Sequence, residues 1–158
     1  MSLEKQYDEM ADRWTYIGTR HQVVKDKYGL GEVWLMPQFV DLKDGGDTFW
    51  LTVLRKGDEW YFLGDTSFIL LVDNKRFTGA GNLVNSEITQ EAAWFETKVI
   101  CNEEIHCGTD SAIMKLIANS QSAKFRLKDI DFILPQSFIN EVKEIVADIE
   151  ASGGYGVE

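Results

Sequence analysis

Apolar and polar positions are patterned most clearly between Thr48 and Phe77. Thr48–Arg55 reads Thr-Phe-Trp-Leu-Thr-Val-Leu-Arg, and a Lys-Gly-Asp-Glu break separates it from Trp60–Leu63. A Gly-Asp-Thr-Ser break then precedes Phe68–Val72, and Asp73-Asn74 turns the chain back through Lys75–Phe77. Short runs rich in aromatic and branched residues, punctuated by Gly, Asp, Asn and Ser, predict consecutive antiparallel strands. In Thr48–Arg55 both alternating faces are apolar: Phe49, Leu51 and Val53 on one, Trp50 and Leu54 on the other. A strand of this kind is covered on both sides or presents an apolar face to a partner.

The flanking pattern extends the sheet. Trp14–Lys27 predicts one irregular strand. Glu32–Leu42 predicts a strand with Val33, Leu35 and Phe39 on one face and Trp34, Met36 and Val40 on the other. Pro37 inside it lacks a backbone donor, which favours an edge or a bulge. Tyr28–Gly31 and Lys43–Asp47 read as turns, and Asn82–Gln90 reads as a loop. Ala92–Cys101 alternates as a half-exposed strand, Asn102–Gly108 reads as a loop, and Ala123–Leu127 is a short strand.

Helical spacing occurs in three places. Leu3, Tyr7, Met10 and Trp14 predict a short N-terminal helix from Ser2. Thr109 or Asp110 caps a helix to Asn119 with Ile113, Leu116 and Ile117 inward. Pro135 opens a final helix with Ile139, Val142, Ile145, Val146 and Ile149 on one face, ending near Ser152. Asp129–Leu134 reads as a helical turn before it. The expected class is α+β: a mostly antiparallel curved sheet or partial β-sandwich of about seven strands, with the N-terminal helix and the two later helices packed on it. One domain over residues 1–152 and a mobile tail over 153–158 are expected.

Composition narrows the function without naming it. The 158 residues carry 16 Lys and Arg against 26 Asp and Glu, a formal net charge of -10. Such a balance opposes nucleic acid and anionic membrane surfaces, and suits solubility or a basic partner protein. The longest apolar run, Phe68–Val72, is far short of a membrane span. Met1-Ser2-Leu3 followed by polar residues gives no secretory signal, so the cytoplasm is the default compartment. Export remains open if these residues replace a removed signal peptide.

Candidate chemistry gathers in Cys101-Asn-Glu-Glu-Ile-His-Cys107. Zinc is disfavoured, because adjacent His106 and Cys107 do not converge on one ion and no second Cys pair completes four ligands. A Cys101–Cys107 disulfide is a candidate if the protein is exported. Otherwise both act as small apolar fillers. Cys107, placed just before the Thr109 helix, is the candidate nucleophile, with His106 or His21 as base. Gly79-Ala80-Gly81 lacks the third glycine of a dinucleotide loop, and the acidic pairs lie in turns. No cofactor is implied.

Trp34, Trp50 and Trp94 are the remaining candidates, as an aromatic sheet surface for a protein partner or for self-association as a homodimer. The expected function is therefore a non-catalytic binding or interaction domain. A cysteine-dependent enzyme built on Cys107 and a carrier for a small apolar ligand are the alternatives.

Overall fold

Among the described residues, two antiparallel sheets and two helices share one buried apolar cluster. The computed structural model describes residues 3–25, 30–42, 46–92 and 97–151. In chain order the elements are β1 (Glu4–Asp8), β2 (Arg13–Ile17), β3 (His21–Lys25), β4 (Glu32–Leu42), β5 (Thr48–Gly57), β6 (Ser67–Val72) and β7 (Lys75–Ala80). They continue as β8 (Asn82–Ala92), β9 (Thr97–Thr109), α1 (Ser111–Ala118), β10 (Ala123–Leu127), β11 (Ile130–Ile133) and α2 (Gln136–Ala151). The larger sheet runs β1-β2-β4-β5-β9-β8, with β3 also paired to β4, and curls into a half-barrel. The smaller runs β11-β10-β6-β7. The α+β class with a mostly antiparallel sheet is as expected, but the described residues form eleven strands in two sheets where about seven were expected.

The predicted meander is instead divided between the two sheets. β5 lies inside the large sheet and β6–β7 in the small one, and the expected strand Trp60–Leu63 is the connection between them. Its course is set by a buried ion pair. Arg55 and Glu103 face each other across β5 and β9, with Nη1 2.7 Å from Oε1 and both side chains almost fully enclosed. Glu103 also accepts from the backbone N–H groups of Tyr61 (3.0 Å) and Phe62 (2.8 Å). Arg55 donates to the carbonyls of Leu30 and Glu59, at 2.7 Å each. Phe62 is thereby pinned in the core.

The N-terminal helix is replaced by the β1–β2 hairpin. Tyr7 and Trp14, spaced as if on one helical face, stand opposite each other across it with ring centroids 4.9 Å apart. Asp8 Oδ1 accepts from the N–H groups of Met10 and Ala11, and Asp12 takes a positive φ of 49°. Both features favour a turn over a helix. Met10, read as helix core, lies exposed at its tip. The hairpin docks on α2 through Asp148, which accepts from Lys5 Nζ (2.8 Å) and from the Tyr16 hydroxyl (2.6 Å). Bonds from Lys5 and then Tyr16 hold the Asp148 carboxyl below its usual range. Burial and the bond to Asp148 push the Tyr16 hydroxyl up to about 12.

Four other expectations change. Trp14–Lys27, expected as one irregular strand, is divided between β2 and β3. The supposed loop Asn82–Gln90 is strand β8, and Asn102–Gly108 is the continuation of β9. Asp129–Leu134 is a hairpin strand, β11, entered through Lys128 at a φ of 58°. Helix α1 begins at Asp110, whose side chain accepts from the N–H of Ile113, and α2 buries the expected stripe together with Phe138. The Tyr28–Gly31 and Lys43–Asp47 turns fall largely outside the described residues, as do the tail 153–158 and Trp94.

Pro37 is accommodated inside the sheet by a break in its neighbours. β2 pairs with the second half of β4 and β3 with the first, and Pro37 sits where one hands over to the other. Its carbonyl accepts from Gly18 N–H at 2.8 Å, so its missing donor also faces the break. A side chain at Gly18 has no room, because a Cβ there would lie 2.2 Å from Glu141 Oε1 and 2.6 Å from Pro37 Cγ. Gly18→Ala is expected to destabilise the protein by about 1–3 kcal/mol in urea unfolding, the usual scale for overpacking. An unchanged midpoint would show that α2 is not packed this tightly on the β2–β3 bend.

Candidate functional site

The main buried cluster draws on one face of the central strands. Val33, Leu35 and Phe39 of β4, Phe49, Leu51 and Val53 of β5, and Ile105 and Cys107 of β9 belong to the buried cluster. Their alternates form the opposite face. Across β4 and β5 the pairs are Trp34 with Leu54, Met36 with Thr52, and Gln38 with Trp50. Across β5 and β9, Leu54 meets Glu104 and Thr52 meets His106. Trp34, Met36, Gln38, Trp50 and His106 are half-buried, although none contributes to the core cluster.

Polar groups on this face hold one another in place. Thr52 is fully buried and its hydroxyl donates to Gln38 Oε1 at 2.7 Å. His106 Nε2 lies 2.8 Å from Glu104 Oε2, and the His106 ring lies against Trp50 with centroids 5.3 Å apart. One end of the face opens into a depression of about 380 Å³ whose lining includes Trp34, Leu54, Lys56, Glu87, Asn102 and Glu104. Rigid aromatic anchors beside fixed polar groups are what a recognition surface requires.

The cysteines are placed differently from the nucleophile expectation. β9 runs to Thr109, so Cys107 is a strand residue directed into the core, fully buried, while adjacent His106 points to the opposite face. Burial pushes the Cys107 thiol up to about 12, the reverse of what an activated nucleophile needs. His21, the other base considered, is engaged with α2. Cys101 and Cys107 are both free and buried, and lie six strand positions apart, about 20 Å along β9 and beyond disulfide reach. Neither thiol is expected to react with an aromatic disulfide reagent in the native protein at neutral pH, and both to react in denaturant. Rapid native labelling of Cys107 would contradict its placement.

One polar chain was not visible in the sequence. Ser137 Oγ lies 2.9 Å from His21 Nδ1, and His21 Nε2 lies 3.1 Å from Glu141 Oε1. Glu141 also accepts from Thr19 N–H (2.6 Å) and from its hydroxyl (2.8 Å). The order hydroxyl–imidazole–carboxylate resembles a hydrolytic relay. The carboxylate, however, is occupied in fixing the β2–β3 bend onto α2, and the depression lined by Trp34 and Glu104 does not include these residues. It acts as a clamp. Among the described residues no group of three or more His, Cys, Asp or Glu side chains is placed to hold a metal ion, and no helix is long and apolar enough to cross a membrane.

The class defined by these features is an α+β domain of two antiparallel sheets whose larger sheet turns an aromatic and polar face away from the core. Compared with models of known families, with characterised proteins and with solved structures, the chain matches none.

Proposed function

We propose that the chain is a non-catalytic binding domain that engages a protein partner, a second copy included, through the outer face of its large sheet. The observation that carries this reading is the position of Trp34 and Trp50: half-buried, on one face, and outside the core cluster. Two tryptophans with Met36 in the row between them, and Leu54 beside Trp34, match the composition of interface centres, where aromatic residues and methionine are enriched. The Thr52–Gln38 and His106–Glu104 bonds satisfy the polar groups within the face, so a partner would not strand them on docking. A carrier for a small apolar ligand would need an enclosed cavity. The depression at the end of this face is open at the surface, which favours a macromolecular partner.

A native mass spectrum of freshly purified protein tests the proposal. The expected species is either two 18.0 kDa chains or one chain with a co-purifying protein. Replacing both Trp34 and Trp50 by alanine is expected to reduce that species to the bare chain while retaining cooperative unfolding. A wild-type chain that is monomeric and bare at tens of micromolar, or a complex indifferent to the double substitution, would refute it.

A further inference from the structure

The small sheet has its own outward face, and its charge is opposite to that of the chain as a whole. The core side of β6 and β10 is Phe68, Leu70, Val72 and Ala123, Phe125, Leu127. The outward side follows from the register. One cross-strand row reads Ile133, Lys124, Leu71, Arg76, and the next reads Asp131, Arg126, Ile69, Thr78. Apolar Leu71 and Ile69 therefore form a column along β6, with Lys124 and Arg126 on one side of it and Arg76 on the other. Leu71 is 37% and Ile133 74% exposed, so this apolar bed is open to solvent. It forms the floor of a shallow depression of about 450 Å³.

Three cations meet one carboxylate here, within a chain of net charge -10. Arg126 is engaged by Asp131 through two parallel bonds, one of 3.0 Å between Nη2 and Oδ2. That bond holds the Asp131 carboxyl below its usual range and raises Arg126. Arg76 and Lys124 have no ion-pair partner among the described residues. They stand about 10 Å apart across β6, two strand spacings, so their long side chains flank anything lying on the apolar column.

We infer that this face docks an acidic polypeptide segment, whose apolar side chains rest on Leu71, Ile69 and Ile133 while its carboxylates meet Arg76 and Lys124. Charge complementarity selects the occupant. Three cations, one of them already neutralised, are too few to hold a nucleic-acid backbone or an anionic membrane against the acidity of the rest of the chain. A short segment feels mainly the local field, because charges beyond about 8 Å are screened at physiological salt. The apolar column adds contacts that a phosphate backbone would not use. This surface is separate from the Trp34–Trp50 face and stands or falls independently of it.

The test is an NMR titration of the full chain with a ten-residue peptide alternating glutamate and leucine. Expected are amide shift changes confined to β6, β7, β10 and β11, weakening as salt rises. The double substitution Arg76→Glu with Lys124→Glu is expected to weaken binding about tenfold, the scale of lost interfacial charge pairs. Lys143→Glu, on the exposed side of α2, should leave binding unchanged, and an alternating lysine–leucine peptide should not bind. Absence of shifts with the acidic peptide overturns the inference. So do shifts elsewhere in the molecule, shifts that the double substitution leaves intact, or tighter binding of single-stranded DNA or phosphatidylserine vesicles than of the peptide.

Discussion

The buried Arg55–Glu103 pair is the constraint on which the rest of the architecture depends. Removing two charges from water costs several kcal/mol for each ion, and a pair this enclosed persists only if its remaining hydrogen-bonding capacity is met. Five bonds meet it here: the pair itself, the carbonyls of Leu30 and Glu59, and the N–H groups of Tyr61 and Phe62. Those partners lie in the segments entering β4 and leaving β5. The geometry that stabilises the ions therefore also directs the chain out of the large sheet toward the small one. Gly57 is part of the same arrangement, since a Cβ there would lie 2.3 Å from Arg55 Nη2. At the return crossing, Gly81 N–H donates to Thr66 O (2.7 Å), and the Thr66 hydroxyl donates to Gly81 O (2.6 Å).

Much of the fold was legible in the residues, and the parts that were not share a cause. β4, β10, α1 and α2 carry strong apolar periodicity and fall where that periodicity puts them. β9 was obscured because Glu103 occupies an inward position, which breaks the apolar alternation of Cys101, Ile105 and Cys107. Only its pairing with Arg55, 48 residues away, makes that position acceptable. β8 was obscured because nearly all of it is exposed, so no core face selects its side chains. Trp60–Leu63 resembled a strand because Phe62 is apolar for the core and Tyr61 for local packing. At the N-terminus, a hairpin that places Tyr7 opposite Trp14 mimics helical spacing.

The candidate site was half legible for the same reason. Alternation set Trp34 on the face opposite Val33 and Leu35, and Trp50 on the face opposite Phe49 and Leu51, but with both faces apolar it did not tell which face was the core. His106 and Glu104 join that face only because β9 continues as a strand through a stretch that reads as a loop. The same continuation removes Cys107 from the helix terminus and buries it. The continuation of one strand thus decides both what the aromatic face contains and why the thiol is unavailable for chemistry. The basic flanks of the apolar column on the small sheet were not legible either, since Arg76 and Lys124 are 48 positions apart and are set on either side of Leu71 only by the register of β6 with its two neighbours.

Amide hydrogen exchange at Tyr61 and Phe62 tests this account most directly. The pair is proposed to hold an otherwise irregular connection as firmly as the sheets it joins. Both amides are then predicted to exchange as slowly as those of β5 in the wild-type protein. In a variant carrying Arg55→Met and Glu103→Leu, an apolar replacement that can preserve overall stability, the same two amides are predicted to exchange far faster than β5. Rapid exchange of Tyr61 and Phe62 in the wild type, or protection that survives the double substitution, would contradict the account.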